Sequence, residues 1–159
     1  MKATANHLLL PLLATACITG RTVPHRIQPV DVAPDAARQQ IAEMDVLVRV
    51  ITHDWLEEVT GLFGGGKLSF EADRLVIHGE LGTSDSYCPF VASAPIRPDG
   101  WTIVEWGTGQ YVSIPGDEVQ VLESCALPVT PTSRVEFGSH EPDGGRRLMN
   151  LLATLAAAE

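Results

Sequence analysis

Gly61-Leu62-Phe63-Gly64-Gly65-Gly66-Lys67 carries the glycine and lysine spacing of a phosphate cradle, in which backbone amides at a helix start and a lysine hold phosphate oxygens. The flanking patterns exclude that chemistry. Apolar spacing puts a helix before this segment and a strand after it, and Leu68 stands where a magnesium-binding hydroxyl belongs. His53 and Glu57 are one helical turn apart and offer two ligands to zinc, but both fall off the apolar stripe and read as a solvated face. His78 and Glu80 share one face of a strand, away from Leu75 and Ile77, and with His53 they form a candidate groove for a ligand or metal. Ser139-His140-Glu141 and Ser84-Asp85-Ser86 hold the residue types of nucleophilic catalysis. Adjacent residues point apart, however, and no G-x-S-x-G elbow is present. Cys88 lacks the electropositive neighbours that activate a thiol, since Tyr87 and Pro89 flank it. Trp101, Trp106 and Tyr111 crowd one hairpin as a candidate binding patch, although parity puts the two tryptophans on opposite faces and hence at least one in the core. No catalytic residue, metal or cofactor is assigned, and the reading leans away from an enzyme.

Periodicity supplies the elements that would position these residues. Pro34 and Asp35 suit a helix start, and apolar residues recur at Ala37, Ile41, Met44, Val48, Ile51 and Trp55, alternately four and three apart. This spacing predicts one helix of about 25 residues, ending near Thr60 with Gly61 as its stop and packed on a sheet. After the glycines the period becomes two: Leu68, Phe70 and Ala72 face one way, Lys67, Ser69 and Glu71 the other. Further strands are predicted over Arg74–Leu81, Phe90–Ile96, Trp101–Trp106, Gln110–Ile114, Glu118–Leu122 and Arg134–Phe137, with Gly107-Thr108-Gly109 closing a hairpin and Pro115-Gly116 a type II turn. Leu148, Leu151, Leu152 and Leu155 form a closing helical stripe. The expected class is α+β, an antiparallel meander of about six to seven short strands with a long N-terminal helix and a short C-terminal helix.

The first twenty residues have a different character. Lys2 is followed by a short apolar run from His7 to Ala16, too short to span a bilayer, which is the anatomy of a signal peptide over residues 1–16. Ala14-Thr15-Ala16 suits ordinary signal peptidase, and Ala14-Thr15-Ala16-Cys17 is similar to the lipobox of bacterial envelope lipoproteins. That resemblance implies a diacylglyceryl thioether and an acylated amine on Cys17, and several chains together make a stable anchor. The alternative is a soluble secreted protein cut after Ala16. The chain has three cysteines, and committing Cys17 to lipid leaves Cys88 and Cys125 as a candidate disulfide, worth roughly 4 kcal/mol by loop closure, or as two small buried side chains. Residues 17–34, with three prolines and little periodicity, read as a lipid-anchored flexible tether reaching at most about 60 Å, and 35–159 as one domain. A net charge of -9 over 159 residues argues against nucleic acid as a partner.

Two cysteines and a closing leucine-rich helix in a lipobox-bearing chain also resemble the META-domain lipoproteins. The phrases LSFEADRLVIHGELGTSDSYC, LESC and RRLMNLLATL carry the similarity, which covers Leu68 to Leu155. The resemblance implies a stress-associated, non-enzymatic envelope protein. The expectation is therefore a lipoprotein of the bacterial cell envelope, attached to the membrane by its lipid with the domain facing the periplasm. Its domain would bind an envelope partner, and Ile18 after the cysteine favours the outer membrane. A second expectation is a small-ligand-binding or hydrolase-like helix-on-curved-sheet domain, similar to nuclear-transport-factor-like and cystatin-like folds. A deep pocket holding His78 and Glu80 would favour that second reading, and a filled core with exposed aromatics the first.

Overall fold

The computed structural model describes residues 20–53, 59–83, 86–124 and 129–158. Its elements in chain order are β1 (Arg21–Val23), α1 (Pro34–Ala42), β2 (Val46–His53), β3 (Val59–Glu71), β4 (Arg74–Thr83), β5 (Ser86–Pro95), β6 (Thr102–Trp106), β7 (Gly109–Pro115), β8 (Gln120–Glu123), β9 (Arg134–Ser139) and α2 (Gly144–Ala156). All nine strands join one sheet in the order β1-β6-β7-β9-β2-β3-β4-β5-β8, and every pairing is antiparallel. The late strand β9 enters the middle of the sheet, between β7 and β2, and so joins the two hairpin-built halves.

Side-chain alternation gives the sheet two unlike faces. Val48, Val50, Leu68, Ile77, Val112, Ile114, Val135 and Phe137 point to one face and are buried. There they meet Ala37 and Ile41 of α1 and Leu148, Leu151, Leu152 and Leu155 of α2 in a single apolar cluster. The leucine stripe of α2 follows the three-and-four spacing of an amphipathic helix, which explains why this segment lies on the sheet. Both helices occupy that one side, so among the described residues the opposite face has no helix on it.

The architecture differs from the expected one. The long N-terminal helix is absent from the described residues: α1 stops at Ala42, and Val46 begins a strand. In Val46-Leu47-Val48-Arg49-Val50 the valines are buried while Leu47 and Arg49 are only part-covered, an alternation of two that β-branched side chains reinforce. Residues three and four apart in that segment happen also to be apolar, which imitates a helical stripe. The glycine run after it is strand as well, since Gly64, Gly65 and Gly66 pair with Val48, Leu47 and Val46. Among the described residues the sheet therefore has nine strands rather than six to seven, with two short helices. Ala72 is not an inward strand residue but lies in the β3–β4 turn at φ 53.

The tether also changes in extent. From Arg21 onward the segment expected to be flexible is built into the body: β1 pairs with β6, and residues 25–30 run as a strap along α2. His25 Nε2 lies 3.1 Å from Asn150 Oδ1, the Gln28 N–H donates to the same oxygen, and the Val30 N–H donates to Thr154 Oγ1. Val23 is buried, and Ile27 and Val32 pack against the core, so apolar burial holds the strap down along with these polar contacts. The signal peptide expected over residues 1–16, and Cys17, lie outside the described residues.

Candidate functional site

The helix-free face divides into a part that the chain covers itself and a part that it leaves open. Three arginines make the cover, each laying its stem along the sheet. Arg134 donates to the Ser113 hydroxyl and carbonyl and to Thr102, and Arg74 donates to the Ser93 hydroxyl and carbonyl. The guanidinium carbon of Arg49 lies 5.0 Å from the centre of the Trp106 ring and 4.4 Å from that of Tyr111, within the range of cation–π attraction. Beneath this cluster sits Glu136, 2% exposed, which accepts a 2.7 Å hydrogen bond from the Trp106 indole. Burial pushes its carboxyl above the usual range, while the indole and Ser113 hydrogen bonds and the charges of Arg49 and Arg134 pull the other way.

Only part of the expected aromatic patch is found here. Trp106 and Tyr111 share the Arg49 cluster, where Tyr111 is fully buried and Trp106 half-buried. Trp101 is a core residue on the helix side, edge-on to Phe137 with its indole donating to Glu118.

The open part lies across β3, β4 and β5. Pairing places Phe63, Gly82 and Tyr87 in one row across the strands, and both aromatics are exposed, Phe63 by 64% and Tyr87 by 75%. A Cβ added to Gly82 would lie 2.7 Å from Tyr87 Cδ1, so the ring rests over the glycine and needs that position bare. Beside the row runs a groove of about 520 Å³ lined by Gly65, Lys67, His78, Glu80, Tyr87 and Val91, among others. A Cβ added to Gly65 would meet no atom within 4 Å, so packing does not require glycine there. A bare strand-interior glycine of this kind leaves room for a ligand to approach the backbone closely.

His78 and Glu80 therefore do share a groove, but an open one on the sheet surface rather than a deep pocket. His78 Nε2 lies 2.9 Å from Ser69 Oγ, and Lys67 is ion-paired with Asp45. The Glu80 carboxylate makes no hydrogen bond or ion pair among the described residues. His53 is not brought to it. Its backbone pairs with Val59, whereas His78 pairs with Lys67, and eight residues of extended β3 put the two about 27 Å apart. Its side chain, and Glu57, lie outside the described residues. Among the described residues no three of His, Cys, Asp and Glu are grouped to hold a metal ion.

The remaining candidates have structural roles or lie elsewhere. Ser139 Oγ accepts the Glu141 N–H in the turn before α2, and His140 beside it is exposed, so the three adjacent residues do not converge. Ser84 and Asp85 lie outside the described residues. Cys88 is disulfide-bonded, and its partner lies outside the described residues. The Arg49–Glu136 cluster escaped sequence reasoning, although Arg49 and Glu136, single charged residues inside apolar alternations, were the available signal. Set beside known protein families, curated proteins and solved structures, the chain matches none of them.

Proposed function

We propose that this protein is a lipoprotein of the bacterial cell envelope, anchored through Cys17, whose sheet domain binds a ligand carrying an ammonium or guanidinium group in the Gly65–Tyr87 groove. The anchor rests on Ala14-Thr15-Ala16-Cys17. A disulfide at Cys88 agrees with export to an oxidising compartment. Cys125 is the proposed partner, since Glu123 pairs with Val91, leaving two residues on one strand and three on the other to reach the two cysteines.

One observation carries the binding reading: an exposed tyrosine and an unpaired carboxylate line the same groove over an unfilled glycine. On this same face the chain satisfies a like arrangement internally, holding the Arg49 cation against Trp106 and Tyr111 near the Glu136 carboxyl. At Tyr87 and Glu80 the cation that lines the groove, Lys67, is taken by Asp45. A net charge of -9 adds long-range attraction for a cation.

Titration of the 15N-labelled protein with acetyl-arginine-amide, followed by amide shifts, tests the reading. Shifts confined to the backbone around Gly65, Glu80, Gly82 and Tyr87 are expected, with none for the neutral citrulline analogue. Tyr87→Ala should abolish them, and Glu80→Gln should weaken binding by about tenfold, the worth of one charge-assisted hydrogen bond. Shifts elsewhere, or equal shifts with citrulline, would overturn the groove as a cation site.

A further inference from the structure

We infer that the end of the domain formed by the β6–β7 hairpin and the start of α2 rests on the membrane surface. The inference depends on the lipid-anchored reading above and adds the face that meets the bilayer. Gly20 is packed under Trp106, where an added Cβ would lie 2.6 Å from the indole, and Arg21 pairs with Glu105. Because β1 runs antiparallel to β6, its N-terminal end at Gly20 lies beside the hairpin tip, Gly107-Thr108. The turn into α2 stands at the same end: Ser139 pairs with Gln110, and Gly144 and Gly145 lie against Ser139 and Gln110.

Chain length then sets the distance. Three peptide units from Cys17 to Gly20 reach at most about 11 Å when fully extended. Roughly 5 to 7 Å of that is taken up in crossing one headgroup layer. The long strand β3, with 13 residues, spans about 44 Å, so the leash is much shorter than the body it holds. The domain cannot stand clear of the lipid, and the end from which the chain departs is the end that touches it. Charge agrees with this placement. On β1, the hairpin and the turn into α2, Arg21, Arg146 and Arg147 are matched by Glu105, Glu141 and Asp143, and with Glu43, Asp45 and Lys67 beside that turn this end carries a net -1 while the chain carries -9.

The test uses the full-length protein isolated from bacterial membranes and reconstituted into phosphatidylcholine vesicles containing lipid brominated high on the acyl chain. Thr108→Trp, at an exposed tip position, should add a strongly quenched fluorescence component. Inserting about 20 Gly/Ser residues between Ile18 and Thr19, a coil of about 25 Å, should cut that quenching at least about twofold while leaving vesicle flotation intact. Protein that floats with the vesicles but shows no quenching of the introduced indole in either version, or equal quenching in both, would overturn the proposed face while leaving the anchor in place. Protein that does not float at all would overturn the anchor itself, and the face with it.

Discussion

The Arg49 guanidinium lies 4.4 Å over the Tyr111 ring and 5.0 Å from the Trp106 ring, while the Trp106 indole donates to the buried Glu136. Four side chains from β2, β6, β7 and β9 are thereby tied together on a face that no helix of the described residues covers. Substituting Arg49→Met removes the cation from both rings and from the neighbourhood of a buried carboxyl. A loss of about 2 kcal/mol is expected in urea unfolding. Adding Glu136→Gln to Arg49→Met should restore part of that loss, because the carboxylate left behind is itself part of the penalty. Two substitutions that simply add would show that the groups do not act together.

Glu136 should also leave a pH signature. Burial raises its folded-state value, so between the ordinary carboxyl range and that raised value the folded protein holds a proton that the unfolded chain has released. Stability from this group is therefore highest at low pH and falls as pH rises through the window. Relative to the native chain, Glu136→Gln should gain stability as pH rises from the ordinary carboxyl range through the raised value, read from urea midpoints. A difference between the two proteins that stays constant with pH would contradict this.

His25 gives a second pH effect, of opposite sign. Burial lowers its value, and the Arg146 charge adds to this against the Asn150 hydrogen bond. Its contribution is complete above about pH 6.5 and is lost as pH falls through the lowered value. Amides of the strap, Gln28 and Val30, should lose hydrogen-exchange protection on acidification, after correction for intrinsic rates, more in the native chain than in His25→Gln. Equal loss in both would remove His25 as the cause.

Ala72 occupies a left-handed backbone conformation at φ 53 in the two-residue turn between Glu71 and Arg74. Glycine adopts that conformation without the Cβ clash, so Ala72→Gly should stabilise the protein by about 0.5 to 1 kcal/mol despite its freer unfolded chain. A lowered midpoint would show that the turn tolerates alanine without strain.

The open groove makes a sharper demand on Gly65. Its Cβ direction is empty, so Gly65→Leu should leave stability unchanged or raise it by up to about 1 kcal/mol, strand propensity favouring leucine. Binding of acetyl-arginine-amide should nevertheless weaken by at least about tenfold. Undiminished binding would place the ligand elsewhere.

What could be read in advance follows from which pattern was unambiguous. The strands after Arg74 and the α2 stripe alternate cleanly, and turn residues bound them, so their positions were legible to within a few residues. Val46 to His53 was not, because Val48 and Ile51 continue the helical spacing while Val46, Val48 and Val50 alternate as in a strand. The pairing of β2 with both β3 and β9, residues distant in sequence, decided it. The shared strand face of His78 and Glu80 was legible from parity, and so was the opposition of Trp101 and Trp106. Their surroundings were not. That Phe63 stands beside Gly82 and Tyr87, and Arg49 beside Trp106, depends on registers between strands that no local pattern states.

Anchoring at the envelope rests on the chemistry of Cys17. Metabolic labelling with palmitate, followed by intact mass of the membrane-extracted protein, should show label and a product beginning at an acylated, diacylglyceryl-modified Cys17, with both lost in Cys17→Ala. An unlabelled product beginning at Cys17 without added lipid mass, or a chain retaining Met1, would contradict it.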